Sequence, residues 1–461
     1  MKPELVKRLE DCVGKDHIVT DREAMLDYLV DETGPIVRPK PAADVIVVKP
    51  RSALEISNIM NVANEEKVFV FPRGAGTGLV GGAIPTENGI VLSLERMDKI
   101  LEIDTENLMA VVEAGVSFAK INEEAERHNL FFPPHPGDES AHIGAIVACN
   151  AGGVRCVKYG VIRDYVKGME IVLPTGQILM LGGKLLKDVT GYDLMHLLIG
   201  SQGTLGIITK VIIRLYPRFK VTASLMISFN DRHEAVNTVP KILQEGIVPL
   251  AVEYVERKLI EGSARSLGKK WPSVKGNSFL YIIVAGENEE DVYRIAERVY
   301  KICQRYNAVE GLIETSRRKQ KNILDIRSNI YLSLKSHTAD ILDIVVPPAN
   351  IGEMLDAIDG VAKKYDIYIP VYGHVADGNL HPHIMDEEVG GVNVENVEQI
   401  KREIYDKARN LGGTITGEHG IGKIRTKNLT EILDKREIEI MKAIKKVFDP
   451  NNILNPGTVI P

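Results

Sequence analysis

Apolar residues recur along this chain at two spacings, and the two alternate. Leu5, Leu9 and Val13 repeat every four positions, which predicts an amphipathic helix over 3–13. Continuous apolar runs at 45–49, 67–71 and 90–94 predict buried strands. Between the first two, 52–65 predicts a helix, with Ser52 as N-cap and Glu55 three residues on, as in a capping box. A strand at 109–113 precedes a helix at 117–129. The stretch 169–181, broken at Pro174-Thr175-Gly176, reads as two strands joined by a turn. Tyr192 to Ile199 reads as a short helix ended by Gly200, and 206–216 as a β-branched strand. The intervening 133–160 is rich in proline and glycine around a small-residue run, Ile146 to Ala151. It reads as a long loop, a kind that usually carries function. Past Pro217 the pattern becomes strand 220–229, helix 231–245, strands 250–256 and 279–285, helix 287–305 and strand 309–314. That βαββαβ order matches a ferredoxin-like unit and places a boundary near 218.

Composition narrows the classes. A chain of 461 residues suggests about three domains, or two large ones. With 44% hydrophobic and 26% charged residues it can bury a sizeable core. A net charge of −6 argues against nucleic acid as the main partner. No apolar run is long enough to predict a transmembrane segment. Cys12, Cys149, Cys156 and Cys303 form no C-x-x-C pair, against a zinc finger or an iron–sulfur cluster held by this chain alone. The N-terminus lacks a signal-peptide core, so the expected compartment is the cytoplasm.

The densest chemistry lies after the second strand. Arg73-Gly74-Ala75-Gly76-Thr77-Gly78-Leu79-Val80-Gly81-Gly82 contains a literal G-x-G-x-x-G, and Glu95 follows near the end of the next strand. This is the nicotinamide dinucleotide pattern by spelling, but that fingerprint needs a helix opening at the loop. Residues 82–89, with Gly82, Pro85, Asn88 and Gly89, are too few and too broken to supply one. The glycines instead expose successive backbone N–H groups, a concave anion site with Arg73 as a fixed charge beside it. A pyrophosphate cradle of a non-Rossmann type is expected.

That loop, together with Pro136-Gly137-Asp138, Gly144, the segment Ala148 to Gly153, and Ile199 to Thr209, resembles the FAD-binding domain of the vanillyl-alcohol-oxidase superfamily. Residues 372–383 and 416–422 resemble its branch of D-lactate dehydrogenases, glycolate oxidases and D-2-hydroxyglutarate dehydrogenases. The resemblance implies an α+β chain: a two-part FAD-binding domain over 1–217, a ferredoxin-like α+β cap over 218–410 that takes the substrate, and a segment 411–461 completing the active site beside the FAD domain. It implies FAD with its pyrophosphate over Gly74, Ala75, Gly76, Thr77 and Gly78. Pro136, Gly137, Asp138, Gly144, Asn150, Gly153 and Ile208 line the rest. Covalent members often carry His where Thr77 stands, and threonine cannot form that bond, so the FAD is expected to be non-covalent. Cys149 and Cys156 remain as residue types able to attach a flavin.

Histidines cluster late. His374, His381 and His383 fall within ten residues, and His419 follows Glu418. Asp377-Gly378 is a favoured pair for a two-residue hairpin turn. Such a turn would set His374 directly opposite His381 on one face, at a spacing suited to one metal. His383 would then be a spare or outer group. The resemblance implies His374, His381 and Glu418 as ligands of a divalent metal (zinc, iron or manganese), which leaves coordination positions open. It also implies Arg327 as the group that binds the substrate carboxylate. The hydroxyl proton needs a base, for which His419 is the candidate because imidazole titrates near the working pH, and Asn379 is a candidate hydrogen-bonding partner of the substrate. The bland alternatives are an outer-shell or structural role for His419, a turn position for Asn379 and a surface ion pair for Arg327. Dicarboxylate-using relatives carry a lysine where Ile341 stands here, which favours a short monocarboxylate such as D-lactate or glycolate over D-2-hydroxyglutarate. The expected reaction is oxidation of a 2-hydroxy acid by hydride transfer to flavin. Electrons would pass to a protein partner, an electron-transferring flavoprotein or an iron–sulfur subunit. A non-catalytic flavin-bearing relay protein is the competing class, and would not need the histidine set.

Overall fold

A computed structural model of the chain describes residues 1–392 and 394–460. The helix Pro3–Val13 buries Leu5, Leu9 and Val13. It packs on the helix Ala53–Glu66, whose Ser52 hydroxyl accepts from Glu55 N. The Glu55 carboxylate reaches back to Arg51 N, one residue before the cap, so the box is offset by one. A four-stranded sheet runs in the order Ile18–Val19, Val45–Val48, Gly89–Ser93, Phe69–Arg73. Its last two strands are parallel, so the glycine loop is a crossover without a helix.

A second sheet is antiparallel, in the order Ile100–Asp104, Met109–Glu113, Ile207–Arg214, Val166–Val172, Ile178–Gly182. The half-exposed strand Ile100–Asp104 shows no clean alternation, which hides it in the sequence. The stretch read as a loop contains a helix, Ile143–Cys149, ended by Asn150 at φ 52°. Its small apolar residues pack into the core, and tertiary burial outweighs the surrounding glycines and prolines. The helix read over Tyr192 to Ile199 is shorter, Leu194–Leu198, capped by Asp193. One hydrophobic core joins these two sheets and their helices, from Leu5 to Leu215, and takes in Ile453 and Leu454 from the far end of the chain. Leu454 bridges Val70 in parallel.

The ferredoxin-like unit forms as the pattern predicts. Its strands lie in the order Glu310–Glu314, Val221–Phe229, Ser278–Gly286, Ala251–Glu256, all antiparallel, backed by Arg232–Gln244 and Glu289–Arg305. An extra helix, Arg257–Ser266, follows the fourth of these strands directly. The sheet then continues through Val371–His374, Asn379–Met385 and Thr338–Ile341. This continuation carries the histidine cluster into the middle of the sheet and pairs His374 with Glu253.

Candidate active site

The histidine hairpin is offset from the predicted register. Observed pairs are His374 with Asn379, Gly373 with Leu380 and Tyr372 with His381, so the loop is 375–378, four residues rather than two. Val375 N bonds to Val252 O on the neighbouring strand, Asp377 N to His374 O, and Gly378 alone has positive φ, at 90°. Competition from the adjacent strand takes Val375 out of the hairpin ladder. His381 therefore sits diagonal to His374 on the same face, with ring centroids 5.2 Å apart. His383 is not a ligand candidate. It is fully buried, with Nδ1 2.9 Å from Thr338 Oγ1 and Nε2 3.2 Å from the Tyr372 hydroxyl.

Glu418 and His419 come from a loop organised by one carboxylate. Asp343 is 0% exposed, and its Oδ2 accepts from Thr416 Oγ1 at 2.7 Å and from the backbone N–H groups of Gly417, Glu418 and His419 at 2.9, 2.9 and 2.8 Å. Asn379 Nδ2 donates to Asp343 Oδ1 and to Ile344 O, each at 3.0 Å. The Asn379 amide hydrogens are thus engaged within the protein, and no bond is made by its Oδ1 among the described residues.

Three imidazoles converge on Glu418. The Nε2 atoms of His374, His381 and His419 lie 3.6, 3.5 and 3.9 Å from Glu418 Oε1. Asp343, His381, Glu418 and His419 each offer a ligand atom within 4.8 Å of one another. Behind the rings stand carboxylates: Glu253 Oε1 2.6 Å from His374 Nδ1, and Asp343 3.7 and 4.0 Å from Nδ1 of His381 and His419. The latter two nitrogens are buried without a hydrogen-bond partner among the described residues. Imidazole Nε2 atoms gathered on a carboxylate suit a divalent cation, and the backing carboxylates follow the usual outer arrangement of metal-bound histidine.

Burial opposes a charge on His374, but Glu253 and Glu418 outweigh it and raise its pKa well above the imidazole value. His381 lacks so close an anion, and burial pushes it down to about 3. Asp343 is held well below the carboxylate range: His419, His381, Arg425 and the loop hydrogen bonds overcome its burial. The Arg327 guanidinium, 5% exposed as a residue, pairs through Nη2 with Glu253 and lies 4.7 Å from the Tyr372 ring centroid. It is no surface ion pair. Asp343 and Glu253 are site residues that the motifs do not name. Their one signal is a lone carboxylate inside an apolar strand run, Ile341 to Val346 and Leu250 to Val255.

The flavin-type motifs meet at this cluster. A Cβ on Gly152 would lie 2.9 Å from Glu418 Oε2, and Gln202 Oε1 accepts from Gly422 N at 2.8 Å. Gly74 abuts His142 and Ala145, Gly144 abuts Ala114, and Gly153, at φ 129°, crosses His135 O so closely that any side chain would collide. Around the glycine loop, His142 Nδ1, Asp31 Oδ2 and Thr33 Oγ1 are buried and unpartnered among the described residues, as a polar ligand would require. Gly137 faces open space, and Ile208 is buried in its strand. Asn150 Oδ1 is taken by Arg163 N, and Asp138 caps its own turn through Ser140. Arg73 departs from expectation. Its Nη1 and Nη2 donate to Val30 O and Asp27 O at 2.7 and 2.6 Å, so its charge props the loop from beneath rather than standing free beside it. Pro136 is buried, while Ala75 and Thr77 are half-buried and Gly78 exposed.

Residues 45–182 match the FAD binding domain family, and residues 218–459 match the C-terminal domain of FAD linked oxidases. A D-lactate dehydrogenase of Archaeoglobus fulgidus is 41% identical over 94% of this chain and 95% of its own length. The glycolate oxidase subunit GlcD of Bacillus subtilis is 39% identical over 98% of this chain and 95% of its own. The structure of p-cresol methylhydroxylase superposes with a TM-score of 0.80 over 99% of this chain and 96% of its own, at 19% identity, a likeness of fold. No helix among the described residues is long and apolar enough to cross a membrane. The convergent site, the two domain matches and the full-length relatives agree: the chain is an FAD-dependent oxidoreductase and belongs to the FAD linked oxidases, in the D-lactate and glycolate branch of the vanillyl-alcohol-oxidase superfamily.

Proposed function

We propose that the chain oxidises a short 2-hydroxy monocarboxylate, D-lactate first, to its 2-oxo acid. The observation that carries this reading is the convergence of three imidazole Nε2 atoms on Glu418 Oε1 beside Gly152. When bound, FAD accepts the hydride from the substrate and a divalent metal acidifies its hydroxyl. The rest falls to the chain. His374, His381 and Glu418 hold the metal. His419 takes the hydroxyl proton, its loop position fixed by the bond from its backbone N–H to Asp343 Oδ2. The buried ring of Tyr372 and the folded loop 416–422 keep bulk water from the cluster. Ile341 is 5% exposed and apolar, which supports a substrate without a second carboxylate.

Burial pushes the Cys149 thiol up to about 11 and raises Cys156 further. Both are poor thiolates, in keeping with non-covalent FAD. Residues 1–217, 218–410 and 411–461 act in this reading as FAD domain, cap and closing segment. A separate electron-transfer protein, an electron-transferring flavoprotein or iron–sulfur subunit, takes the electrons. Anaerobic mixing with D-lactate, glycolate and D-2-hydroxyglutarate, following flavin bleaching, tests the reading. Rapid bleaching by D-lactate is expected. Absence of bleaching by any of the three would point to the relay class, and preference for the dicarboxylate would overturn the substrate assignment. Acid precipitation should leave the yellow colour in the supernatant.

A further inference from the structure

Glu253 occupies the centre of the extended cap sheet. Its strand, Ala251–Glu256, pairs with Val371–His374, and Glu253 is the cross-strand partner of His374 itself. Partners in such a pair share a face, so their side chains meet. Glu253 is 0% exposed, and both of its oxygens are engaged: Oε1 lies 2.6 Å from His374 Nδ1, and Oε2 receives Arg327 Nη2. A carboxylate so placed accepts the Nδ1 proton and leaves Nε2 as the nitrogen turned toward Glu418, 3.6 Å away. Arg327 supplies the opposing charge: its Nη2 donates to Glu253 Oε2 and neutralises the buried carboxylate, while its Nε is without a partner among the described residues and stays open to another acceptor. A buried anion between an arginine and a histidine is neutralised from one side and directed from the other.

We infer that Glu253 is the positioning residue of this centre, fixing the tautomer and orientation of His374. This rests on the reading of His374, His381 and Glu418 as metal ligands.

The test uses purified, flavin-loaded protein with metal. Metal affinity is measured by competition with a chromogenic chelator, and flavin occupancy from the absorption spectrum. Glu253→Gln should weaken metal binding about 10–100-fold, the usual cost of losing an outer partner of a ligand histidine, with flavin retained. Glu253→Gln leaves Arg327 unpaired and risks misfolding. The double variant Glu253→Gln, Arg327→Met removes both charges together and should fold, because losing a buried pair is milder than losing one partner. It should show the same loss of metal affinity. Arg327→Lys, which keeps the charge beside Glu253, should keep metal affinity near that of the unaltered protein. Wild-type metal affinity in a folded double variant would overturn the inference. A parallel His374→Ala, His381→Ala variant separates the two levels: if it keeps wild-type metal content, the metal reading itself falls.

Discussion

Replacing Asp343 by asparagine changes one oxygen to an amide group and should reach further than any single ligand. The carboxylate Oδ2 holds four donors, Thr416 Oγ1 and three consecutive backbone N–H groups, and Oδ1 holds Asn379. An amide can offer one acceptor. If its oxygen faces the loop, its NH2 faces Asn379 Nδ2, donor against donor; if it is reversed, four donors face two more. Each charge-assisted bond exceeds its neutral counterpart by about 1 kcal/mol, so the loop loses roughly 4 kcal/mol. Relief from burying a charge returns part of this, leaving a net cost of about 2–4 kcal/mol. Trp271, the single tryptophan, is 3% exposed and packs on Phe279 inside the cap, so its fluorescence reports unfolding of that part of the molecule. The denaturant midpoint of Asp343→Asn should fall with the slope unchanged, and bound metal should fall with it. A midpoint shift worth under about 0.5 kcal/mol, the size of an ordinary surface substitution, would show that Asp343 does not anchor the loop.

Other expectations follow from the same geometry. A side chain at Gly76 would meet Arg73 Nη2 at 2.1 Å in a residue with φ 81°; Gly76→Val should therefore purify without flavin, and full flavin occupancy would remove the loop from the cofactor site. His419→Ala should slow flavin reduction by D-lactate about 10²–10⁴-fold with FAD and metal retained; equal loss of metal would make it a ligand, and a near-normal rate would end both roles. Burial lowers the His383 pKa to about 3. The unfolded chain then binds the extra proton below pH 6.5 and the folded chain does not, so stability is full above pH 6.5 and falls on acidification, by about 2 kcal/mol between pH 6.5 and 5. His383→Gln should flatten that part of the denaturation profile, and an unchanged slope would refute it.

Legibility followed burial pattern and chain locality. Pro3–Val13 and the ferredoxin-like order were readable because each element carries its own period. The helix Ile143–Cys149 was not, because its residues are small and its neighbours are glycine and proline, and only packing selects it. His374, His381, Glu418 and His419 were readable from residue type and motif, but the hairpin register was not. Asp377-Gly378 favours a two-residue turn locally, while Val252 O, more than a hundred residues earlier in the chain, claims Val375 N. Arg327 and Asn379 were recognisable as site candidates, but their partners, Glu253 and Asp343, come from strands distant in sequence. A motif names the residues near an active centre more readily than it names what those residues touch.

The pairing of Leu454 with Val70 has a consequence for how the molecule is assembled. Asn455 donates to Gly82 O and Gln202 O, and Lys423 Nζ reaches Gly82 O and Asn455 Oδ1, so the crossover after Phe69–Arg73 is braced by residues far along the chain. The closure that brings Leu454 to Val70 spans the whole cap and is among the longest in the fold. The glycine crossover therefore gains its last support only when the polypeptide on both sides of the cap has come together.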